Sequence, residues 1–204
     1  MAQTSFTTKL EVEVKARLAD RAAFTTKLEA MGFRLKTAEA PERNVLFDTA
    51  DGQLRRRGEL LRIRRYGDHW KLTHKAPAEP NTKKPHKSRI ETETEVNDGE
   101  ALAAIFEHLG YRPIFTYEKI RAEWSDGEGE IVVDTTPIGD FAELEGRPEW
   151  IDATAARLGI QPEAYLTASY AQLFLDWKKS SGHAAANMTF AEIEDDRVAA
   201  PSRV

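Results

Sequence analysis

Apolar and charged residues alternate along much of this chain with the two-residue period of extended backbone. In Glu11-Val12-Glu13-Val14-Lys15 the charged side chains share one face of a strand, while Leu10, Val12, Val14 and Ala16 share the other. The stretch from about Lys9 to Arg17 therefore reads as β-strand, and its apolar face has to be buried. The spacing then becomes helical. Asp20 suits an N-cap, Phe24, Leu28 and Met31 recur at three- and four-residue intervals, and Gly32 is a natural stop. A strand near Glu42 to Asp48 and a turn at Ala50-Asp51-Gly52 come next. Leu60 to Arg65 and Trp70 to Lys75 are predicted to form a hairpin around Gly67-Asp68. Arg62 and Arg64 share one face of that hairpin, as do Lys71, Thr73 and Lys75.

Ala76 to Lys87, rich in proline and lysine, reads as a surface loop, with Lys83, Lys84 and Lys87 placed to overhang whatever the strands enclose. The strand Ser88 to Val96 is charged at every second position from Arg89 to Glu95. Asn97 or Asp98 caps a second helix whose expected buried stripe is Leu102, Ile105, Phe106 and Leu109, ending at Gly110. Three more strands follow: Phe115 to Trp124 with Lys119 and Arg121 on one face, Glu130 to Thr135 with Asp134, and Asp140 to Gly146 with Glu143 and Glu145. Helices are predicted from Pro148 to just before Gly159 and over about Thr167 to Lys179. Beyond that the composition turns to Ala, Asp, Glu, Ser and Arg with little period. Residues 1–181 are expected to form one domain and residues 182–204 a disordered tail.

A weak internal repeat runs through this order. Sliding the first strand and helix onto the second pair aligns Asp20 with Asp98, Phe24 with Leu102, Leu28 with Phe106, Gly32 with Gly110 and Glu13 with Glu91. Two such halves in one antiparallel sheet supply about eight strands, a number that closes around side chains or one small ligand.

Composition narrows the function. With 29 basic and 34 acidic residues the net charge is −5, so no global basic field argues for nucleic acid. The absence of cysteine excludes disulfides and thiolate metal sites and suits a cytoplasmic location. No apolar run approaches the roughly 20 residues that cross a bilayer, and Met1 to Lys9 lacks the form of a signal peptide. There is no P-loop and no dinucleotide glycine motif, and the five histidines have no ligand spacing.

The amphipathic helices need an apolar surface. If they jacket the outside of a barrel, the charged strand faces line its bore, where ions must pair or hold a ligand because dehydrating each costs several kcal/mol. Arginine and lysine would take phosphate oxygens, and carboxylates would take a hard cation such as Mg²⁺ or Mn²⁺. The competing arrangement is an open sheet with solvated, cross-strand ion pairs, and Glu91 to Glu95 taken singly reads that way. Periodicity leaves the two evenly matched.

The ordered motifs separate them. Glu11-x-Glu13-x-Lys15 is followed by Asn44-x-x-Phe47-Asp48-Thr49, Leu61-Arg62-Ile63-Arg64, Leu72-Thr73-x-Lys75, Arg89-x-Glu91-x-Glu93, Lys119-x-Arg121, Val133-Asp134, Gly139-x-Phe141-x-Glu143-Leu144-Glu145 and Ser169-Tyr170. This set resembles the CYTH superfamily of triphosphate tunnel metalloenzymes, which includes class IV adenylate cyclases, thiamine triphosphatases and inorganic triphosphatases. The resemblance implies an α+β fold, an eight-stranded antiparallel β-barrel forming a tunnel with a polar lumen, flanked by amphipathic helices. It assigns Arg62, Arg64, Lys75, Arg89, Lys119 and Arg121 to triphosphate binding, with Lys71 on the same face. Glu11, Glu13, Asp134, Glu143 and Glu145 fall at metal-binding positions, for Mg²⁺ or Mn²⁺. Lys15 matches a catalytic lysine near the reacting phosphate that orients or deprotonates water. Members often carry tyrosine before Phe47, where this chain has Leu46. The implied partner is a small-molecule triphosphate, with a homodimer plausible by analogy and neither nucleic acid nor membrane expected. The leading expectation is metal-dependent hydrolysis of inorganic or thiamine triphosphate. Class IV cyclisation of ATP comes second, and a non-catalytic polyphosphate- or nucleotide-binding module third.

Overall fold

A computed structural model describes residues 6–78 and 85–193. Eight strands close into one antiparallel barrel: β1 (Thr7–Leu18), β2 (Arg34–Thr49), β3 (Leu60–Tyr66), β4 (His69–Pro77), β5 (Lys87–Val96), β6 (Tyr111–Ser125), β7 (Glu130–Thr136) and β8 (Gly139–Glu145). Around the barrel they run β1-β5-β4-β3-β2-β6-β7-β8. The long β1 closes the ring, since its first half pairs with β5 and its second half with β8.

Among the described residues, the helices α1 (Arg21–Ala30), α2 (Gln53–Arg56), α3 (Gly99–His108), α4 (Pro148–Leu158) and α5 (Tyr170–Ser181) flank the strands. The internal repeat is visible at their caps. Asp20 accepts a hydrogen bond from the Ala23 amide and Asp98 from the Glu100 and Ala101 amides. Gly32 and Gly110, which follow, both stand at φ +90°, where a side chain would be strained. The short α2 is new relative to the sequence reading. It is held by Asp48, whose carboxylate accepts from the Leu54 and Arg55 amides.

The main hydrophobic core lies outside the barrel. Val14, Trp124, Ile131, Val133, Ala142 and Leu144 point outward from the strands and are buried under Phe24 and Leu28 of α1 and Trp150, Ile151 and Leu158 of α4. The jacket is incomplete. Leu10 on β1 stays exposed because α1 and α4 cover only the later part of that strand, beside Val14 and Ala16. On α3 the expected buried stripe is only half realised, with Ile105 52% and Leu109 68% exposed. That helix meets the sheet through Gly99, which leaves room for the Trp70 ring, and through Phe106, whose ring lies 5.3 Å from that of Phe47.

A second apolar cluster closes part of one barrel end. Leu46, Tyr117 and Phe141 pack there with Tyr170, Leu173 and Phe174 of α5 and with Ala185, Met188 and Ile193. The expectation of a disordered tail from residue 182 therefore fails for residues 182–193, while 194–204 lie outside the described residues. Met188 pairs in parallel with β6, donating to the Thr116 carbonyl and accepting from the Glu118 amide. The low hydrophobicity of this segment hid two anchors, Met188 and Ile193, too widely spaced to make a periodic signal. Strand β2 also begins earlier than expected, at Arg34, because its polar first half is recruited by hydrogen bonds to β6 and not by burial.

Candidate active site

Because side chains alternate, the outward Val14 and Ala16 force Glu11, Glu13 and Lys15 into the bore, and each strand repeats the logic. Arg62 and Arg64 come from β3, Lys71, Thr73 and Lys75 from β4, Glu91 and Glu93 from β5, Lys119 and Arg121 from β6, and Glu143 and Glu145 from β8. Together they enclose a cavity of about 360 Å³. Ten basic and eight acidic side chains line it, against five uncharged residues, among those described. The signs alternate around much of the ring, with acidic β5 beside basic β4 and both signs on β1 and β6. β8 and β7, with Glu143, Glu145 and Glu130, stand across the ring from β3 and β4, with Arg62, Arg64, Lys71 and Lys75.

Below the cavity the charges form a continuous network. Asp134 is fully buried and accepts from Nε and Nη2 of Arg121 at 2.7 Å each, from Nζ of Lys119 at 3.1 Å and from the Tyr170 hydroxyl at 2.6 Å. Arg121 also reaches Glu143 at 2.7 Å, and Glu143 accepts from Lys15 at 2.5 Å. Lys119 lies 3.2 Å from Glu42, a buried carboxylate of β2 that also faces Arg64 and Arg121 at 3.6 and 3.8 Å. Toward the rim the pairs are simpler: Lys75 with Glu11 at 2.6 Å, Lys87 with Glu13 at 2.6 Å, Lys71 with Glu93 at 2.7 Å and Lys9 with Glu145 at 2.6 Å.

Burial and pairing pull the titrations apart. Burial by itself would raise the Glu13 carboxyl, but Lys15 and Lys87 outweigh it and hold the group at about 2. For Glu11, burial, abetted by Glu13 and Glu91, wins over Lys75 and pushes the carboxyl up to about 7. Burial would lower the Lys15 ammonium, yet Glu143 and Glu13 drive it well above the ordinary lysine value. A lysine so held is a fixed positive charge.

The comparisons agree with this geometry. The CYTH domain family model matches residues 9–161. The chain belongs to the CYTH domain family. A putative adenylate cyclase of Methanocaldococcus jannaschii is 30% identical over 137 residues, 67% of this chain and 76% of that one. An adenylate cyclase of Aeromonas hydrophila is 28% identical over 190 residues, 85% of this chain and 93% of that one. Among solved structures, a putative adenylate cyclase of Vibrio parahaemolyticus shares the fold at TM-score 0.70 and 21% identity, covering 82% of this chain and 98% of its own. A putative adenylyl cyclase of Hippeastrum, whose structure is described as revealing a dominant triphosphatase activity, does so at 0.60 and 23%, covering 81% and 95%.

Of the residues expected at a CYTH site, Lys15, Arg62, Arg64, Lys71, Lys75, Lys119, Arg121, Glu11, Glu13, Glu143 and Glu145 all line the cavity. Two expected residues do not. Arg89 donates from Nη2 to the carbonyls of Gly58 and Lys75 at 2.7 and 3.3 Å, while its buried Nε has no hydrogen-bond partner among the described residues. Asp134 lies beneath the lining, already saturated by Lys119, Arg121 and Tyr170. Glu143 and Glu13 raise the proton affinity of Lys15, which favours the orienting role over the deprotonating one.

Other lining residues went unassigned. Glu91 and Glu93 face the lumen, and the former is buried, against their solvated reading taken singly. Lys87 lines the cavity, whereas Lys83 and Lys84 lie outside the described residues. Glu42, two positions before Asn44 and so on its face of the strand, was legible in principle. Tyr117 and Tyr170 carried no charge signal. They share an apolar cluster with Leu46, and the Tyr117 hydroxyl accepts from Arg62 at 3.3 Å.

Oxygen donors for a divalent cation would come from neighbouring strands of the bore. Glu13, Glu143 and Glu145 are oxygen donors on paired strands, with Glu13 opposite Glu145 and Lys15 opposite Glu143. Among the described residues, no three acidic or histidine side chains are gathered closely enough to hold a cation, because each of these glutamates faces a lysine instead.

Proposed function

We propose that this protein hydrolyses a linear triphosphate, inorganic or carried by thiamine, with Mg²⁺ or Mn²⁺. The supporting observation is a lumen lined by ten basic and eight acidic side chains, with Arg62, Arg64, Lys71 and Lys75 gathered on the adjacent β3 and β4. An adenine ring would find few uncharged surfaces inside it, whereas a polyanion finds donors throughout. In this reading Arg62, Arg64, Lys71, Lys75, Lys119 and Arg121 hold phosphate oxygens and keep the chain in line. Glu13, Glu143 and Glu145 would hold the cation, which supplies charge neutralisation on the phosphate oxygens when bound. Lys15, permanently charged at the floor, stabilises the charge that develops on the terminal group. Water attacks the terminal phosphorus, the bridging P–O bond breaks and diphosphate leaves, with the proton of the water passing to solvent or to a lumen carboxylate.

A second reading, cyclisation of ATP, is favoured by the two relatives named adenylate cyclase. It uses the same walls, but the ribose 3′-hydroxyl attacks the α-phosphate and diphosphate leaves. Incubation with Mg²⁺ or Mn²⁺ and either tripolyphosphate, thiamine triphosphate or ATP separates the two. Rapid orthophosphate release without cAMP supports hydrolysis, and cAMP with pyrophosphate overturns it. Tight binding without turnover of any of the three reduces the protein to a binding module.

A further inference from the structure

Tyr170 opens α5, a helix outside the barrel, yet its side chain lines the cavity and is buried. Three contacts fix it in the charged floor. Its hydroxyl donates to Asp134 at 2.6 Å. Its ring carries two ammonium groups, Lys15 and Lys119, each 4.8 Å from the centroid. The edge of the assembly is sealed by aromatic packing, with Tyr117 at 5.8 Å and Phe141 at 5.6 Å, the latter edge-on. The network thus closes on itself through Asp134, Arg121, Glu143 and Lys15 and back across the ring to Tyr170. Just before the helix, Leu166 is bonded through its backbone to Lys15, so the approach to α5 is tied to the same residue.

Carboxylates already hold both ammonium groups, Lys15 through Glu143 and Lys119 through Asp134 and Glu42, and the ring adds a restraint on the side the carboxylates leave open. A π-face attracts cations without consuming their hydrogen-bond donors. The ring therefore holds both ammonium groups in place while leaving N–H bonds available to phosphate oxygens. We propose that Tyr170 is a positioning residue: it sets Lys15 and Lys119 at the cavity floor and makes the docking of α5 a condition of turnover. The proposal rests on the triphosphate reading of the cavity and adds to it the requirement for an element outside the barrel.

The test uses the full chain with tripolyphosphate and Mg²⁺, following orthophosphate release, and with tripolyphosphate alone, following the binding constant by calorimetry. Tyr170→Phe keeps the ring and loses the hydroxyl, Tyr170→Leu loses both, and Phe174→Leu disturbs the same helix and cluster without touching the charged network. The expected result is a kcat lowered about 10²-fold in Tyr170→Leu with a smaller change in KM, the scale of a misplaced catalytic group. Tyr170→Phe is expected to fall between it and the parent, and Phe174→Leu to lose stability but keep kcat. In a Lys15→Met background, replacing Tyr170 should weaken tripolyphosphate binding less than it does with Lys15 present. Equal kcat in Tyr170→Leu and Phe174→Leu, or additive effects on binding, overturns the proposal. If the parent binds tripolyphosphate without hydrolysing it, the inorganic triphosphatase reading fails, and coupling in the binding constant still decides the role of Tyr170. If the parent does not bind it, both fall.

Discussion

The ammonium of Lys15 stands 2.5 Å from Oε1 of Glu143, at the same register on paired strands, and their side chains are 3% and 12% exposed. The pair has been taken out of water without leaving the ligand cavity. It persists because each member has a second partner, Glu13 near Lys15 and Arg121 at Glu143.

Removing one member of such a pair leaves the other buried with less compensation. Glu143→Gln is expected to cost about 3 kcal/mol of stability, the lower end for a broken buried pair, because Lys15 retains Glu13. Urea unfolding at neutral pH measures it. A loss below ~1 kcal/mol, as for surface pairs, would mean that water reaches the floor freely.

Glu11 and Glu13, two residues apart on one face, give opposite pH dependences. Glu13 is held at about 2, below its ordinary 4.5, so it stabilises the fold above about pH 4.5 and that contribution is lost as pH falls toward 2. The full effect is roughly 3 kcal/mol, since one pKa unit is worth about 1.4. Glu11, raised to about 7, keeps in the folded state a proton that the unfolded chain releases near 4.5, so its contribution is lost as pH rises through 7. Unfolding profiles should therefore show Glu13→Gln flattening the acid limb and Glu11→Gln removing a decline between about pH 4.5 and 7. Parallel profiles for the two variants would contradict this assignment.

Arg62 and Arg89 separate binding from structure. Arg62 lines the cavity, its two Nη atoms donating to Tyr117 and Thr73, and Arg62→Gln should raise KM for tripolyphosphate about tenfold, the value of one charged hydrogen bond. Arg89 is outside the cavity lining and gives its Nη2 to two carbonyls, so Arg89→Gln should leave KM unchanged and lower stability by about 1 kcal/mol. Steady-state kinetics beside unfolding curves distinguishes them, and a raised KM in Arg89→Gln would return it to the site.

Met188 has no solvent exposure although it lies in the segment that reads as tail. Met188→Ala should cost about 2–4 kcal/mol, the range for emptying a core position, and lower the thermal midpoint accordingly. An unchanged midpoint would mean that residues 182–193 do not dock in solution.

Much of this site could be read from the chain. Eleven of the thirteen expected residues line one cavity, because successive side chains of a strand must point to opposite sides and each sharing of a face follows from the residue numbers. The two that strayed show the limit of that rule. Asp134 and Arg89 face inward like their neighbours, but depth along the bore depends on the stagger between strands, which no local pattern records. The proton affinity of Lys15 was hidden for a related reason, being set by Glu143, 128 residues away. Tyr170, marked in the sequence only by the Ser169-Tyr170 motif, entered the floor from a helix whose spacing reads as apolar.

By itself, then, the order of residues determined the strands, the helices and the membership of each face, since these depend on neighbours two to four positions apart. Only the tertiary structure decided which face became the inside, how deep each charge sits and which opposite charge it meets. Those depend on ring closure and on electrostatic contacts between residues far apart in the chain, which come into existence only when the barrel does.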